Sequence, residues 1–351
     1  MTEERTPDPP QPDRSLAYAI AASIVLVLVA VGGGAALSRS ARPAATPSPS
    51  VGPSGSVLPA LTEPPSTEPL VFTQTLSAGC AAGDGVYVVS DGGGIGRFAF
   101  DRWQLIDETA RSLVAATCQG DVLIAVGGGG RVVTISDRDR TIRSDGIVLE
   151  DLQGVAPLAD GVLAVGRAGT VQRQGAGGWG AYAAGLTEDL FGVVAFSGDS
   201  AWAVGAGGVS YRLEPAGWRP VATGVTTTLR AIAARAVDDV VVAGDDGVIL
   251  TWSGQWKRVD ADAPVHVRYR AALRVGGSTT YLAGDAGTLL RFTGGTSSDP
   301  SSFALVPLDT TCTLRALFAR AGEVWVVGSD GGQAAVWRIT GAAVVRWGQC
   351  G

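Results

Sequence analysis

Three arginines of this sequence stand in closely related phrases in the second half of the chain. They are Arg230 in LRAIAAR, Arg270 in YRAALR and Arg315 in LRALFAR. A guanidinium presents its N–H donors in a planar fork that matches the two oxygens of a carboxylate or a phosphate. If the fold brings these phrases together, their arginines form a docking surface for a partner that carries such groups.

Each phrase carries a second arginine near its other end. These are Arg235, Arg274 and Arg320. A structural explanation competes with the docking surface, because ion-pair networks imitate binding sites. Its ion-pair partners would be acidic residues in the loops that follow, namely Asp238, Asp239 and Glu323. Both interpretations stay open from the sequence alone.

Residues of other kinds offer little chemistry. His266 is the only histidine, so a metal site built from several histidines is excluded and a histidine-based triad would rest on one residue. The glycine-rich stretch AVGGGGRVV lacks the Lys-Ser/Thr pair of a phosphate-binding loop. The net charge of −6 disfavours a general nucleic-acid binder. We therefore predict no catalytic residue, no cofactor, no metal site and no nucleic-acid partner.

The arginine phrases belong to a repeat that fills the chain after about residue 70. In each copy an apolar run ends on an anchor residue: VYVVS at Ser90, LIAVG at Gly127, VLAVG at Gly166, AWAVG at Gly205, VVVAG at Gly244, TYLAG at Gly284 and VWVVG at Gly328. Successive anchors are 37 to 44 residues apart. Each copy reads as four short strands without helical periodicity, which is typical of a propeller blade. We predict an all-β, seven-bladed β-propeller of four-stranded blades over residues 70–351.

The first strand of each blade is expected to line the central channel. These strands should begin near Leu76, Leu113, Leu152, Leu190, Leu229, Tyr269 and Leu314. The six arginines would then lie near the two mouths of the channel in blades five to seven. At the first arginine position, blades one to four carry uncharged residues instead, namely Ser77, Val114, Gln153 and Phe191. The basic charge is therefore confined to one side of the channel.

Acidic residues follow the anchors in several copies, in SDGG, GDDG and GDAG. They are Asp91, Asp245, Asp246, Asp285 and Asp330. Calcium ligands would have to converge on one ion, whereas these residues lie in different blades. Aspartate accepts backbone hydrogen bonds in tight turns, and glycine adopts positive φ there. We interpret them as turn residues, and the recurring tryptophans as packing between blades.

The sequence of the repeat, as in AWAVGAGGVSYRLEPAGW, resembles the repeats of propellers related to photosystem II assembly factors and of bacterial neuraminidase-type propellers. The resemblance covers residues 70–351 and implies a non-enzymatic assembly or binding propeller. The nearest pieces to the aspartate-box pattern S-x-D-x-G-x-T-W are VSDGGGIGRF and GSDGGQAAVW, which depart from it. Sialidases share a propeller fold and use an arginine cluster, a tyrosine nucleophile and acidic partners, but no positions here match those roles.

The N-terminal part of the chain predicts a membrane anchor. Residues 16–37 form a 22-residue stretch without a charge, about the length that crosses the hydrocarbon core. A signal peptide, the competing interpretation, has an apolar region of only about 7–15 residues and a clear cleavage site. Residues 1–15 would be a cytoplasmic tail, and the Pro-, Ser- and Thr-rich residues 38–69 a disordered linker. The positive-inside rule gives no orientation, because two arginines flank the stretch on each side.

The four cysteines sort into two pairs at related positions of adjacent blades. Cys80 and Cys118 lie near the ends of the first strands of blades one and two, and Cys312 and Cys350 follow the fourth strands of blades six and seven. Such positions suit the Cα separation of roughly 4.4–6.8 Å that a disulfide requires. We predict Cys80–Cys118 and Cys312–Cys350, with four buried thiols as the alternative. Disulfides persist in oxidising compartments, so the propeller would lie outside the cytoplasm.

The combined expectation is a single-pass protein of a bacterial cell membrane. Lys257 is the only lysine, and this bias toward arginine suggests a GC-rich bacterial genome. The propeller would be a non-catalytic module that binds a protein or anionic ligand, or assists assembly. The alternative function is a carbohydrate-active, sialidase-like or other hydrolytic propeller enzyme.

Overall fold

Short apolar runs separated by glycine-rich turns form antiparallel strands throughout the described part of the chain. The computed structural model describes residues 74–108, 111–138, 141–182, 185–259, 266–277, 279–293 and 303–350. These residues contain 28 β-strands, and the only helical segments among them are three-residue 3₁₀ turns. The strands make seven sheets of four, and each sheet uses four consecutive strands. The predicted all-β fold with seven four-stranded blades is confirmed.

Strands within a blade run in chain order from the channel outward. Blades one to three comprise β1 (Leu76–Ala82), β2 (Gly85–Ser90), β3 (Gly94–Ala99), β4 (Arg102–Glu108), β5 (Leu113–Gln119), β6 (Val122–Gly127), β7 (Arg131–Ser136), β8 (Thr141–Gly146), β9 (Leu152–Leu158), β10 (Gly161–Gly166), β11 (Val171–Gly175) and β12 (Gly178–Ala181). Blades four and five comprise β13 (Leu190–Ser197), β14 (Ser200–Gly205), β15 (Ser210–Glu214), β16 (Gly217–Pro220), β17 (Leu229–Ala236), β18 (Asp239–Gly244), β19 (Ile249–Trp252) and β20 (Trp256–Arg258). Blades six and seven comprise β21 (Tyr269–Val275), β22 (Thr279–Gly284), β23 (Leu289–Thr293), β24 (Phe303–Leu305), β25 (Thr313–Arg320), β26 (Glu323–Asp330), β27 (Gln333–Thr340) and β28 (Ala343–Gly348).

The first strands begin where the sequence predicts, with one small difference. Six of them start on the expected residue, and β25 starts at Thr313, one residue before Leu314. In blade seven the second strand also continues beyond its anchor, Gly328, to Asp330. The next two residues, Gly331 and Gly332, both have positive φ, which suits a tight two-residue hairpin. That hairpin lets β26 and β27 pair to their ends.

The repeated anchor glycine has a steric cause. At Gly205, an added Cβ would lie 2.0 Å from the carbonyl oxygen of Asp189, and at Gly244 it would lie 2.1 Å from that of Thr228. The backbone that enters the first strand therefore passes too close to the end of the second strand for any side chain. This close approach also fixes the start of each first strand beside the turn that follows the second strand.

The core lies between the blades, because each blade has two faces and each face packs on a neighbour. The second strands are consequently buried along almost their whole length, as in β14 and β18. Trp202 of blade four packs against Trp252 and Trp256 of blade five, with ring centroids 4.9 and 5.3 Å apart. The tryptophans pack between blades, as the repeat predicts.

Blades one and seven close the ring without exchanging a strand. Blade one is built only from β1–β4 and blade seven only from β25–β28. Side chains make the closing contact: the ring of Phe98 lies 5.6 Å from that of Trp325 and 4.9 Å from that of Trp347. Ser329 Oγ donates a hydrogen bond to the Leu76 carbonyl at 2.9 Å. The closed shape therefore depends on packing between side chains and on a hydrogen bond from a side chain to the backbone.

Residues 1–73, which include the predicted tail, anchor and linker, lie outside the described residues. Within the described ranges, no helix has the length and apolar character needed to cross a bilayer.

Candidate binding site at the channel mouth

The first strands of all seven blades bring one side chain each to the same end of the channel. These residues line a cavity of about 230 Å³ together with Thr75 and Asp91, and they are Ser77, Val114, Gln153, Phe191, Arg230, Arg270 and Arg315. We call this cavity the arginine mouth. The structure thus brings together the first arginine of each of the three phrases, on the face that carries the turns after the second strands.

Arg230 and Arg270 are paired with aspartates of those turns. Arg230 binds Asp245 through two hydrogen bonds, from Nε to Oδ1 at 2.7 Å and from Nη2 to Oδ2 at 3.0 Å. Arg270 Nε donates to Asp285 Oδ1 at 2.7 Å. Burial opposes the ionisation of Asp245, but the hydrogen bonds and charge of Arg230, with Arg268, hold its pKa below the usual value. Two of the three mouth arginines are therefore already neutralised.

Arg315 has a different environment. Its Nε donates to the hydroxyl of Ser329 at 2.8 Å, and among the described residues no carboxylate oxygen lies within 4.0 Å of it. Burial lowers the pKa of its guanidinium, the charge of Arg270 acts in the same direction, and the charges of Asp91, Asp285 and Asp330 oppose them. An arginine nevertheless stays protonated at neutral pH. Arg315 is thus a partly desolvated cation that an arriving carboxylate or phosphate would stabilise.

The opposite wall of the mouth supplies uncharged groups. The guanidinium of Arg230 lies 5.0 Å from the centre of the Phe191 ring, so this ring holds the arginine side chain as well as lining the cavity. Ser77 Oγ donates to the carbonyl of Leu113 at 2.5 Å and lies 3.1 Å from that of Val89. The mouth therefore combines one arginine that has no carboxylate within ion-pair distance among the described residues with a partly apolar, hydrogen-bonded wall.

The second arginine of each phrase lies elsewhere and joins blades. Arg235 Nε and Arg274 Nη1 bind the two oxygens of Asp239 at 2.8 and 2.6 Å, which ties blade five to blade six. Arg320 Nη2 donates to the carbonyl of Asp84 at 2.6 Å and ties blade seven to blade one. None of these three lines the mouth. Their geometry fits the structural explanation, and we restrict the candidate site to the first set.

The expected ion-pair partners are found only in part. Asp239 binds two of the six arginines, whereas Asp238 lies 3.4 Å from Arg212 and Glu323 lies 3.8 Å from Arg338. The partners that the sequence interpretation missed are Asp245 and Asp285, which were assigned only to turns. The turn itself is present, since Asp246 and Gly247 have positive φ. The sequence spacing could have indicated these pairs, because each aspartate stands 15 residues after its arginine. Ser329 stands 14 residues after Arg315.

A sialidase-like site would need a tyrosine beside the arginines. The described residues that line the mouth include no tyrosine. Tyr269 precedes Arg270 but is buried in the core, where burial raises its pKa to about 12. Arg97, Tyr87 and Asp137 do meet between blades one and two, with Arg97 Nε 2.7 Å from Asp137 Oδ1. Burial and the bond to Asp137 raise the pKa of Tyr87 to about 12, which is opposite to what a nucleophile needs.

The four cysteines form the two predicted pairs. The Cα atoms of Cys80 and Cys118 are 5.6 Å apart, and those of Cys312 and Cys350 are 5.8 Å apart. The first disulfide joins the first strands of blades one and two. The second joins the residue before β25 to the segment after β28, so it links the two ends of blade seven. No cysteine remains free.

Comparison with known proteins supports the fold. No model of a protein family matches the sequence, and no curated protein is significantly similar to it. Among solved structures, the WD40 β-propeller domain of Doa1 has a TM-score of 0.64 at 12% identity, covering 76% of this chain and 93% of that one. YCF48 from Cyanidioschyzon merolae has a TM-score of 0.61 at 14% identity, covering 78% and 97%. YCF48 bound to a D1 peptide has a TM-score of 0.63 at 15% identity, covering 80% and 99%. The resemblance expected from the sequence is thus confirmed at the level of the fold, and the chain is a seven-bladed β-propeller similar to YCF48.

Proposed function

We propose that this protein is a non-catalytic propeller that binds a protein partner through the arginine mouth. The observation that carries the proposal is the convergence of Arg230, Arg270 and Arg315 on one cavity, with only Arg315 left without a carboxylate among the described residues. A partly buried guanidinium without a directly bound carboxylate gains free energy when a carboxylate from a partner forms a charge-assisted, forked hydrogen bond with it. The similar propeller YCF48, in its complex with a D1 peptide, supports a peptide or protein as the partner.

The charge balance of the mouth favours a singly charged group over a dense anion. Asp245 and Asp285 neutralise two of the three arginines, and Asp91 also lines the cavity. A phosphate with close to two negative charges would meet these carboxylates as well as Arg315. A single carboxylate on a peptide chain matches the one open guanidinium better.

The proposal includes a location. Residues 16–37 would anchor the chain in a bacterial cell membrane, with the propeller on the outer side. Two disulfides and the absence of free cysteines support an oxidising compartment. In that arrangement the propeller would act as a tethered assembly or docking module for other envelope proteins.

The decisive variant is Arg315→Gln in the full-length, detergent-solubilised protein. It removes the hydrogen bond from Arg315 to Ser329 but also relieves the desolvation of the cation, so the melting temperature should stay within about 2 °C of the wild type. Arg219→Gln is the matched control, since Arg219 pairs with Glu214 on the outer strands of blade four. We expect cross-linked partner proteins to be recovered with the wild type and with R219Q, and at least about tenfold less with R315Q, the change that 1.4 kcal/mol produces.

Equal recovery of the same partners by the wild type and R315Q would reject the arginine mouth as the docking site. A fall in melting temperature by more than about 5 °C would show instead that Arg315 has a structural role.

A further inference from the structure

The arginine–aspartate pair of the repeat is divided between blades seven and one. In blades five and six, an arginine follows the first residue of the first strand, and the residue after the anchor is the aspartate that binds it. Blade seven has Arg315 but carries Ser329 in place of the aspartate, whereas blade one has Asp91 but carries Ser77 in place of the arginine. These two blades are neighbours where the ring closes, so the remaining arginine and the remaining aspartate line the same cavity.

Neither serine supplies the missing charge. Ser77 Oγ donates to the Leu113 carbonyl and Ser329 Oγ donates to the Leu76 carbonyl, so both hydroxyl groups join neighbouring blades. Ser329 also accepts a hydrogen bond from Arg315 Nε. Among the described residues, the two Nη groups of this guanidinium have no hydrogen-bond partner, which leaves that end available to a carboxylate.

Asp91 and Arg315 act on each other without forming an ion pair. The Asp91 side chain is exposed and makes no ion pair with any residue that the structure describes. Its charge nevertheless opposes the effect of burial on the pKa of the Arg315 guanidinium. A group that enters the arginine mouth between them therefore meets a negative charge on the side of blade one and a positive charge on the side of blade seven.

This arrangement selects a ligand that carries both charges. A lone carboxylate is attracted by Arg315 but repelled by Asp91, and a lone cation meets the reverse. A ligand with both groups is attracted at each end. An ammonium is a compact point charge, which suits one carboxylate in a cavity of about 230 Å³ better than a planar guanidinium fork does.

We propose that the protein partner presents a carboxylate and a lysine ammonium side by side, and that the carboxylate binds Arg315 while the ammonium binds Asp91. The inference rests on the proposed function, because it specifies the chemical group that the arginine mouth accepts. Asp91 thereby excludes purely acidic segments, and the mouth reads a pair of opposite charges.

Asp91→Asn gives opposite results for the two kinds of partner. If an ammonium binds Asp91, recovery of cross-linked partner proteins by the full-length, detergent-solubilised protein should fall about three- to fivefold, the range of a partly exposed ion pair. If the partner presents only a carboxylate, loss of the Asp91 charge removes a repulsion and recovery should rise. Asp330→Asn is the matched control, since Asp330 also acts on Arg315 but does not line the mouth, and recovery with D330N should not fall.

Zero-length cross-linking tests the contact itself. A carbodiimide joins a carboxylate to an amine only where the two groups touch. Lys257 is the only lysine of the chain, so an isopeptide bond from Asp91 to any other lysine identifies the partner. In the wild type we expect mass spectrometry to find this bond, with a glutamate or aspartate of the partner close to the linked lysine. Arg315→Gln should remove the bond, and Arg219→Gln should leave it unchanged.

The outcomes separate this inference from the proposed function. Equal or higher recovery with D91N, together with a loss in R315Q, overturns only the inference, because a carboxylate alone would then occupy the mouth. Equal recovery with R315Q rejects the proposed function and the inference with it. Lower recovery with D91N but no bond from Asp91 to a partner lysine would show that Asp91 acts by holding Arg315 in place, and this also overturns the inference. A fall in the melting temperature of D91N by more than about 5 °C would have the same meaning.

Discussion

Arg315 differs from the other mouth arginines in its hydrogen-bond partner, which lies in the turn after the second strand of its blade. Arg230 and Arg270 meet Asp245 and Asp285, whereas Arg315 meets the hydroxyl of Ser329. One substitution in the repeat, serine for aspartate, leaves Arg315 without the direct ion pair that Arg230 and Arg270 have. The sequence identifies the three arginines by residue type. Whether each arginine has an ion pair depends on the side chain 14 or 15 residues later in the sequence.

Asp245 gives a prediction at this scale. Its pKa in the folded protein lies below the ordinary value of about 3.9, so its ion pairs stabilise the fold above that pH and are lost as the pH falls through the folded pKa. Asp245→Asn should lower the free energy of unfolding at pH 7 by about 1.5–3 kcal/mol, the range for hydrogen bonds to charged groups. Denaturant unfolding at pH 7 and at about pH 3 measures this, and the difference from the wild type should shrink at the lower pH. An undiminished difference at low pH would contradict the ion-pair explanation.

At the scale of the element, the recurring turn after the second strand positions the site. It holds the anchor glycine against the incoming backbone and places Asp245 beside Arg230. The sequence could predict the strands and the turn, because glycine and the apolar runs repeat in every blade. It could not predict that the turn aspartates reach the channel arginines, since that contact depends on the pairing register between first and second strands, such as Leu229 with Gly244.

Two glycines of one turn should respond differently to alanine. In Gly205→Ala, the new Cβ would lie 2.0 Å from the Asp189 carbonyl oxygen, so the backbone must shift, and we expect a loss of roughly 3 kcal/mol or more. In Gly207→Ala, nothing lies within 4 Å of the new Cβ, and blades three and six already carry Ala168 and Ala286 at positive φ at this turn position. That control should cost only about 1 kcal/mol. Chemical denaturation of both variants tests the comparison, and similar losses would contradict the close-approach argument.

At the scale of the whole molecule, the ring is closed by side chains and flanked by disulfides. Blades one and seven share no sheet, and the two disulfides lie in or next to them, Cys80–Cys118 on one side and Cys312–Cys350 on the other. The number of blades and the pairing of cysteines could be predicted, because both follow from equivalent positions in a repeat. The aromatic contact of Phe98 with Trp325 and Trp347 could not, since residues from the two ends of the repeat meet only when the ring closes.

Removal of the disulfides should therefore weaken the whole ring. Each bridge closes a loop with a sequence separation of 38, for which loop-closure entropy gives a stabilisation of about 4 kcal/mol. Cys80→Ala with Cys118→Ala should lower the free energy of unfolding by about 2–4 kcal/mol, and purification without reductant should leave no reactive thiol in the wild type. Thiol titration and denaturant unfolding measure both. Four reactive thiols in the native protein would contradict the disulfides and the proposed location.

Site-specific photo-cross-linking from inside the arginine mouth tests the central claim most directly. Gln153 lines the mouth from blade three and is uncharged, so Gln153→benzoylphenylalanine places a reactive group there without removing an arginine. With the full-length protein in the cells that make it, we expect mass spectrometry to identify cross-linked peptides rich in glutamate or aspartate from a second protein. Their yield should fall at least about tenfold when Arg315→Gln is added and should not change with Arg219→Gln. Cross-links of the same identity and yield with and without Arg315 would contradict the account.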